Sequence, residues 1–214
     1  MARNGRDRVP RGTLTRERIV DAAVALADEE GLRALSMPKL ARRLEVGVMS
    51  LYSHVRSKDD LLDGVAQKLL EDLIGPTGST GAAAVKDHFR ALRRLLVAHP
   101  GLGEVLATRG VAVPAVFDLL EQNLSALLTA GIDGDEAVGL YYALLTYTVG
   151  FATWQLPRAA AGDRVYRRRW REILNNLPPD RYPSLHTVRD HLPTVASDAQ
   201  FEFGLQRLAA KLKG

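Results

Sequence analysis

The run AVGLYYALLTYTVGFATWQLP, residues 137–157, carries no Asp, Glu, Lys or Arg. Few folds can hold such a stretch. Its length is close to the roughly 20 residues needed to cross a bilayer. Yet Thr146, Thr148, Thr153, Gln155 and Tyr141, Tyr142 and Tyr147 interrupt it, and no basic cluster flanks its near end. A helix that is apolar on every face is otherwise one that is covered on every face. The expectation is a buried central helix and no membrane contact.

The rest of the chain supports a helical packing partner for that segment. Ile19, Ala22, Ala23, Leu26 and Ala27 follow the i, i+3, i+4, i+7, i+8 pattern of one helix face. Thr15 is placed to cap that helix and Gly31 to end it. Ser36 caps a second, short helix with Leu40, Ala41 and Leu44 inside. After Gly47 a third is predicted over 48–55, with Leu51 and Val55 one turn apart on its inner face. SKDD, residues 57–60, has the form of a capping box, with its acids near the positive end of a helix dipole. Leu61, Leu62, Val65, Leu69 and Leu73 continue the fourth helix. Further helices are predicted near 83–98, 102–107, 114–130, 135–155, 164–175 and 197–211, with a shorter one from Ser184. No alternating strand pattern and no fixed-period repeat stands out. The fold class is all-α: an N-terminal three-helix unit and a larger helical domain.

GPTGSTG, residues 75–81, is the strongest break in the chain. It is no phosphate cradle, because no strand precedes it and no Gly-Lys-Ser/Thr follows. The expected organisation is a basic arm over 1–14, a DNA-reading unit over 15–56, a connecting helix over 57–74 and a ligand-binding and dimerisation domain over 82–214. The first 18 residues hold six arginines against Asp7 and Glu17, which already accounts for the net +4 of the 214-residue chain. With no cysteine there is no disulfide framework and no thiolate metal site. The arginine-rich start lacks a following apolar run and is no secretory signal, so a cytoplasmic protein is expected.

Three short helices with a tight turn between the second and third suggest a helix-turn-helix. Ala41 is the small residue such a crossing needs, and EVG can make the turn. Leu40, Leu44, Val46, Leu51 and Val55 would hold the angle. Met49, Ser50, Ser53 and His54 would face outward, with Tyr52 and Lys58 at the margins. Hydroxyls and lysine suit phosphate oxygens, while Met and Val suit thymine methyls. Pattern alone leaves two readings open, a DNA-binding unit and a generic helical bundle. Catalysis finds nothing specific: His186 and His191 are five apart and turn to different faces, His88 and His99 are eleven apart and could share a face but no acidic partner is evident in the sequence, and no serine triad is visible. The chain is expected to be no enzyme, with no metal and no cofactor.

The segment RERIVDAAVALADEEGLRALSMPKLARRLEVGVMSLYSHVRSKDDLLDGV, and within it LARRLEVGVMSLYSHVRSKDDLL, closely resembles the DNA-binding region of TetR-family transcriptional regulators. FEFGLQRLAAKL resembles the last helix of the tetracycline-repressor-like ligand domain in that family. The resemblance implies a homodimer in which each subunit has a helix-turn-helix and a domain for a small-molecule effector. It implies most often a repressor, which binds a palindromic operator in double-stranded DNA and lets go when the effector moves the fourth helix. The alternative is a constitutive dimeric DNA-binding protein with no effector. Carried over residue by residue, the family's DNA contacts fall on Met37, Pro38, Val48, Met49, Ser50, Ser53, His54 and Lys58, with Tyr52 at the backbone or bracing the helix. Two departures matter. Met37 and Pro38 stand where polar groups often donate, and the third helix has no Arg, Asn or Gln for bidentate base contacts. Specificity is therefore expected to lean on apolar contacts, DNA shape and the arm's arginines.

Gly139, Ala143, Thr146 and Gly150 form a small-residue stripe at helical spacing, and Phe201, Leu205, Leu208 and Leu212 an apolar one. Paired across a two-fold axis they would make a four-helix dimer interface, while packing within one chain is the plain alternative. Phe89, Phe117, Tyr147, Phe151 and Trp154, with polar points from His88, Asn123 and Gln155, are the candidate ligand residues. The drug-binding set of the tetracycline-binding members has no counterpart here, so no tetracycline specificity is expected.

Overall fold

The structure is a computed structural model that describes residues 14–75, 78–160, 163–192 and 197–210. The basic arm up to residue 13 and Leu212 lie outside the described residues. In chain order the helices are α1 (Arg16–Glu30), α2 (Met37–Arg43), α3 (Val48–Tyr52), α4 (Lys58–Glu71), α5 (Gly81–Ala98), α6 (Pro100–Thr108), α7 (Pro114–Thr129), α8 (Gly134–Ala160), α9 (Asp163–Asn175), α10 (Pro183–Val188) and α11 (Asp198–Leu208). Among the described residues there is no strand. None of the described helices is long and apolar enough to cross a membrane.

Of the N-caps expected at Thr15, Ser36 and Ser57, the first and last bond through their side chains, whereas Ser36 stands at the start of α2 without a side-chain capping bond. Thr15 Oγ1 accepts from Arg18 N at 3.2 Å and Ser57 Oγ from Asp60 N at 3.1 Å, each satisfying an orphan donor of a first turn. The turn from α2 to α3 is made differently from expectation. Glu45 takes the left-handed conformation (φ 56°), while Gly47 has an ordinary φ of −72°. Val46 N bonds to Ala41 O at 3.0 Å and Glu45 N to Arg42 O at 3.2 Å. Those two bonds are a Schellman motif whose left-handed position is filled by a residue with a Cβ. The third helix is also shorter than 48–55. It ends at Tyr52, and Ser53 and His54 lie in the turn closing onto Leu51 O.

Ile19, Leu26, Leu40, Leu51, Val55 and Leu61 are buried together, so α1, α2, α3 and α4 share one core. That core runs on into the larger domain through Leu102 and Val105 of α6. At the junction, a Cβ on Gly101 would sit 3.4 Å from Ala27 Cβ, so glycine lets α6 lie close on α1. In the larger domain α5 packs on both α7 and α8, and α11 packs on α8. The uncharged segment of α8 is covered on one side by these helices, through Tyr141, Leu144, Thr148 and Ala152. The helix continues through Pro157 to Ala160, past its expected end at 155.

Candidate nucleic-acid interface and sensor domain

The outward face of the small domain gathers most of the predicted DNA residues. Met49 is 79% exposed, and Ser50, Tyr52, Ser53, His54 and Lys58 are exposed beside it. Val48 is half-buried and Pro38 exposed. Met37 is placed elsewhere. It sits in the hydrophobic core at 6% exposure and has no outward face to offer DNA. An apolar first residue on a seven-residue helix does more for the core than for solvent. Ser53 Oγ donates to Ser50 O at 2.8 Å, so its hydroxyl proton is used locally and only acceptor capacity faces outward. Arg56 is exposed between His54 and Lys58 and joins this surface, although its place in a turn gave no periodic signal.

One residue that periodicity did not single out holds this face in place. Arg16, at the start of α1, donates to Asp60 Oδ1 at 2.8 Å and Oδ2 at 3.0 Å, and to the His54 carbonyl at 3.1 Å. Asp60 Oδ2 also accepts from Arg56 N at 2.7 Å. The guanidinium thus pins the end of the recognition segment to two helices. Its hydrogen bonds hold the Asp60 carboxyl down at about 2. Ion pairs Arg43–Glu29 and Lys39–Glu30 tie α2 to α1 in the same way.

α4 is tied to the larger domain by polar contacts along its length. Arg109 meets the Asp63 carboxylate at 3.0 Å and donates to the Asp59 carbonyl at 3.2 Å. Gln67 accepts from Ala115 N, at the start of α7, at 2.9 Å. Past its end, Gln122 grips Gly75 from both sides, accepting from N at 3.3 Å and donating to O at 3.0 Å. α1 is joined to α6 by His99 and Asp28 at 2.8 Å. A cleft of about 610 Å³ lies between α1, α4 and the α6–α7 loop, lined by Arg16, Asp60, Asp63, Gly64, Gln67 and Val113 among others.

The predicted ligand residues divide into three places. His88, Phe89 and Asn123 are buried in the α5–α7–α8 core. Tyr147, Phe151, Trp154 and Gln155 lie toward α11. Tyr147 stacks on Phe201 (5.5 Å between centroids, 14° between planes), and Arg93 lies over both Phe201 and Phe151 at 4.7 and 5.4 Å while donating to Gln155 Oε1 at 2.8 Å. Phe117 is 58% exposed and points away from both groups, because it falls on the outer arc of α7 between the buried Ala115 and Leu119.

The predicted dimer residues also divide. Gly139, Ala143, Thr146 and Gly150 share the exposed face of α8, and open space surrounds a Cβ at either glycine. Tyr142 of α8 and Phe203 and Leu208 of α11 add exposed apolar surface. Phe201 and Leu205 do not belong to that face. They are buried against α8 of the same chain, with Ala209 one turn on. Thr146, Tyr147, Gly150, Phe151, Trp154 and Gln200 line an open groove of about 510 Å³, so candidate ligand and dimer residues adjoin.

Two family models match the chain one after the other. The one described as "Bacterial regulatory proteins, tetR family" matches residues 19–65, and "Tetracyclin repressor-like, C-terminal domain" matches residues 76–213. The chain belongs to the TetR family. It is 33% identical to the HTH-type transcriptional repressor DrrR1 of Streptomyces coeruleorubidus, over 94% of this chain and 78% of that protein. Its fold is similar to apo ActR from Streptomyces coelicolor, with a TM-score of 0.82, 34% identity and coverage of 93% of this chain and 94% of that one. ActR in complex with actinorhodin is similar too, with a TM-score of 0.83, 32% identity and coverage of 94% and 96%. As a TetR-family member the protein is a DNA-binding transcriptional regulator, with its helix-turn-helix at the N-terminus and its sensor domain after it.

Proposed function

We propose that two copies of this chain form a homodimeric repressor that binds a palindromic operator and releases it when a small-molecule effector enters the C-terminal domain. The observation that carries this reading is the linkage of the reader to the sensor. The exposed segment 48–58 is pinned to α4 through Arg16 and Asp60, and α4 is held in turn by Arg109, Gln67 and Gln122 contacts. A ligand that moved α6 or α7 would therefore move α4 and change the spacing of two recognition segments. The exposed small-residue face of α8 supports the dimer, since helices approach closely where side chains are small. The repressor DrrR1 and the complex of ActR with actinorhodin support repression and an organic effector. DNA contact through Pro38, Val48, Met49, Ser50, Tyr52, Ser53, His54, Arg56 and Lys58 belongs to the same reading.

The test is selection of bound duplexes from random double-stranded DNA, followed by the mass of the complex. Two inverted half-sites spaced by about one helical turn, bound by an even number of chains, are expected. Enrichment of single, unpaired half-sites would rule out the palindrome and the dimer together. A complex that no extract of the native cell dissociates would favour the constitutive reading.

A further inference from the structure

The recognition segment carries one apolar side chain that the fold itself does not use. Met49, the second residue of α3, is more exposed than any other large apolar side chain among the described residues. Its neighbours hold it out. Leu51 is fully buried and Val48 half-buried, and the Arg16 guanidinium fixes the far end of the segment through the His54 carbonyl. Met49 therefore stands at the N-terminal end of a short helix whose position is set from the opposite side. In a helix-turn-helix that is the end whose side chains meet base edges.

The polar groups beside Met49 do not select a base. Ser50 and Ser53 are exposed hydroxyls, and a hydroxyl meets donors and acceptors alike. Ser53 has already spent its proton on Ser50 O. The His54 ring donates or accepts according to its tautomer. α3 holds no Arg, Lys, Asn or Gln, the residues whose paired bonds single out guanine or adenine. Arg56 and Lys58 lie past its C-terminal end and suit phosphates. What remains to tell one base pair from another is apolar contact, and the apolar mark in the major groove is the C5 methyl of thymine. Methionine, unbranched and polarizable, adapts to such a target. We propose that Met49 makes operator recognition depend on a pyrimidine C5 methyl: each half-site holds a thymine there, 5-methylcytosine can stand in for it, and uracil and cytosine cannot. The proposal rests on the reading of segment 48–58 as the DNA-contacting surface and names what that surface detects.

Fluorescence anisotropy of the full-length protein on its selected operator tests it, with deoxyuridine replacing each thymine in turn in both half-sites. At one position the lost methyl should weaken binding about fourfold per half-site, or about fifteenfold with both replaced. Met49→Ala should bind the thymine and deoxyuridine operators alike, and should melt with the parent because the side chain it loses is exposed. At the same position a 5-methylcytosine·guanine pair should bind the parent about fourfold per half-site more tightly than cytosine·guanine, and Met49→Ala no more tightly. The proposal is overturned by half-sites without thymine, by a scan with no sensitive position, by no gain from 5-methylcytosine, or by a deoxyuridine effect that persists in Met49→Ala. That last result would assign the effect to DNA shape or to another side chain. His54→Ala and Lys58→Ala on the unmodified operator separate the two levels. If they weaken binding while the scan is flat, segment 48–58 reads DNA without the methyl and only the proposal falls. If they bind as the parent does and the scan is flat, the reading of the segment falls with it.

Discussion

Arg16 reaches Asp60 across 44 positions of sequence, and its partners are a carboxylate and a backbone carbonyl. No helical spacing reveals such a pair, which is why periodicity read Arg16 only as one more arginine near a basic arm. Arg16→Met should lower stability by about 1–2 kcal/mol in urea unfolding, the solvent at the guanidinium keeping the figure small. It should also weaken DNA binding, since His54 loses its anchor. Acid should undo the same contact. Asp60 titrates near 2 in the folded chain and near 3.8 when unfolded, so its contribution is full above about 4 and is lost as pH falls toward 2. His88 acts at a higher window. Its folded value of about 4 lies below the ordinary 6.5, so the unfolded chain takes up the proton first and stability falls between pH 6.5 and 4. His88→Phe should flatten that part of the profile. At Glu45 a left-handed residue with a Cβ is strained, and Glu45→Gly should stabilise by about 0.5 kcal/mol once the extra freedom of unfolded glycine is subtracted.

At the scale of elements, α11 shows what an apolar stripe leaves undecided. Phe201, Leu205, Leu208 and Leu212 were legible as a stripe, but a stripe does not say whether its cover is the same chain or another. The structure gives Phe201 and Leu205 to the chain's own α8, and leaves Phe203 and Leu208 outside. The junction depends on Gly204, where a Cβ would land on the Tyr147 hydroxyl, which donates to Phe201 O at 3.1 Å. Gly204→Ala should therefore destabilise the fold by about 1–3 kcal/mol as the ring is displaced. Gly139→Leu should behave oppositely. Open space surrounds that position within one chain, so the subunit should keep its helical circular dichroism while sedimentation velocity shows the dimer lost. The existence of α2, α3 and α4 and the start of α4 at Ser57 were legible because the cap and the buried leucines are local, whereas the left-handed Glu45 of the turn was not. The end of α3 was not, because hydrogen bonds to Leu51 O rather than side-chain pattern decide it.

Over the whole molecule, the small domain and the larger one share one packed core, and Arg109, Gln67 and Gln122 hold α4 and the segment after it against the larger domain. Arg109→Ala should leave operator affinity within a few-fold of the parent while reducing the effect of any effector on it, a difference read by band shifts at fixed operator with and without ligand. The exposed Lys58 should contribute to the salt dependence of binding, and Lys58→Ala should reduce the slope of log affinity against log salt by about 1 per subunit. The most direct measurement is the affinity of the full-length chain for its selected operator, by fluorescence anisotropy, with His54→Ala beside the parent and dimer mass checked in both. The account predicts weaker operator binding by about 1–3 kcal/mol in an intact dimer. Equal affinity in both proteins would contradict the assignment of segment 48–58 as the surface that reads DNA.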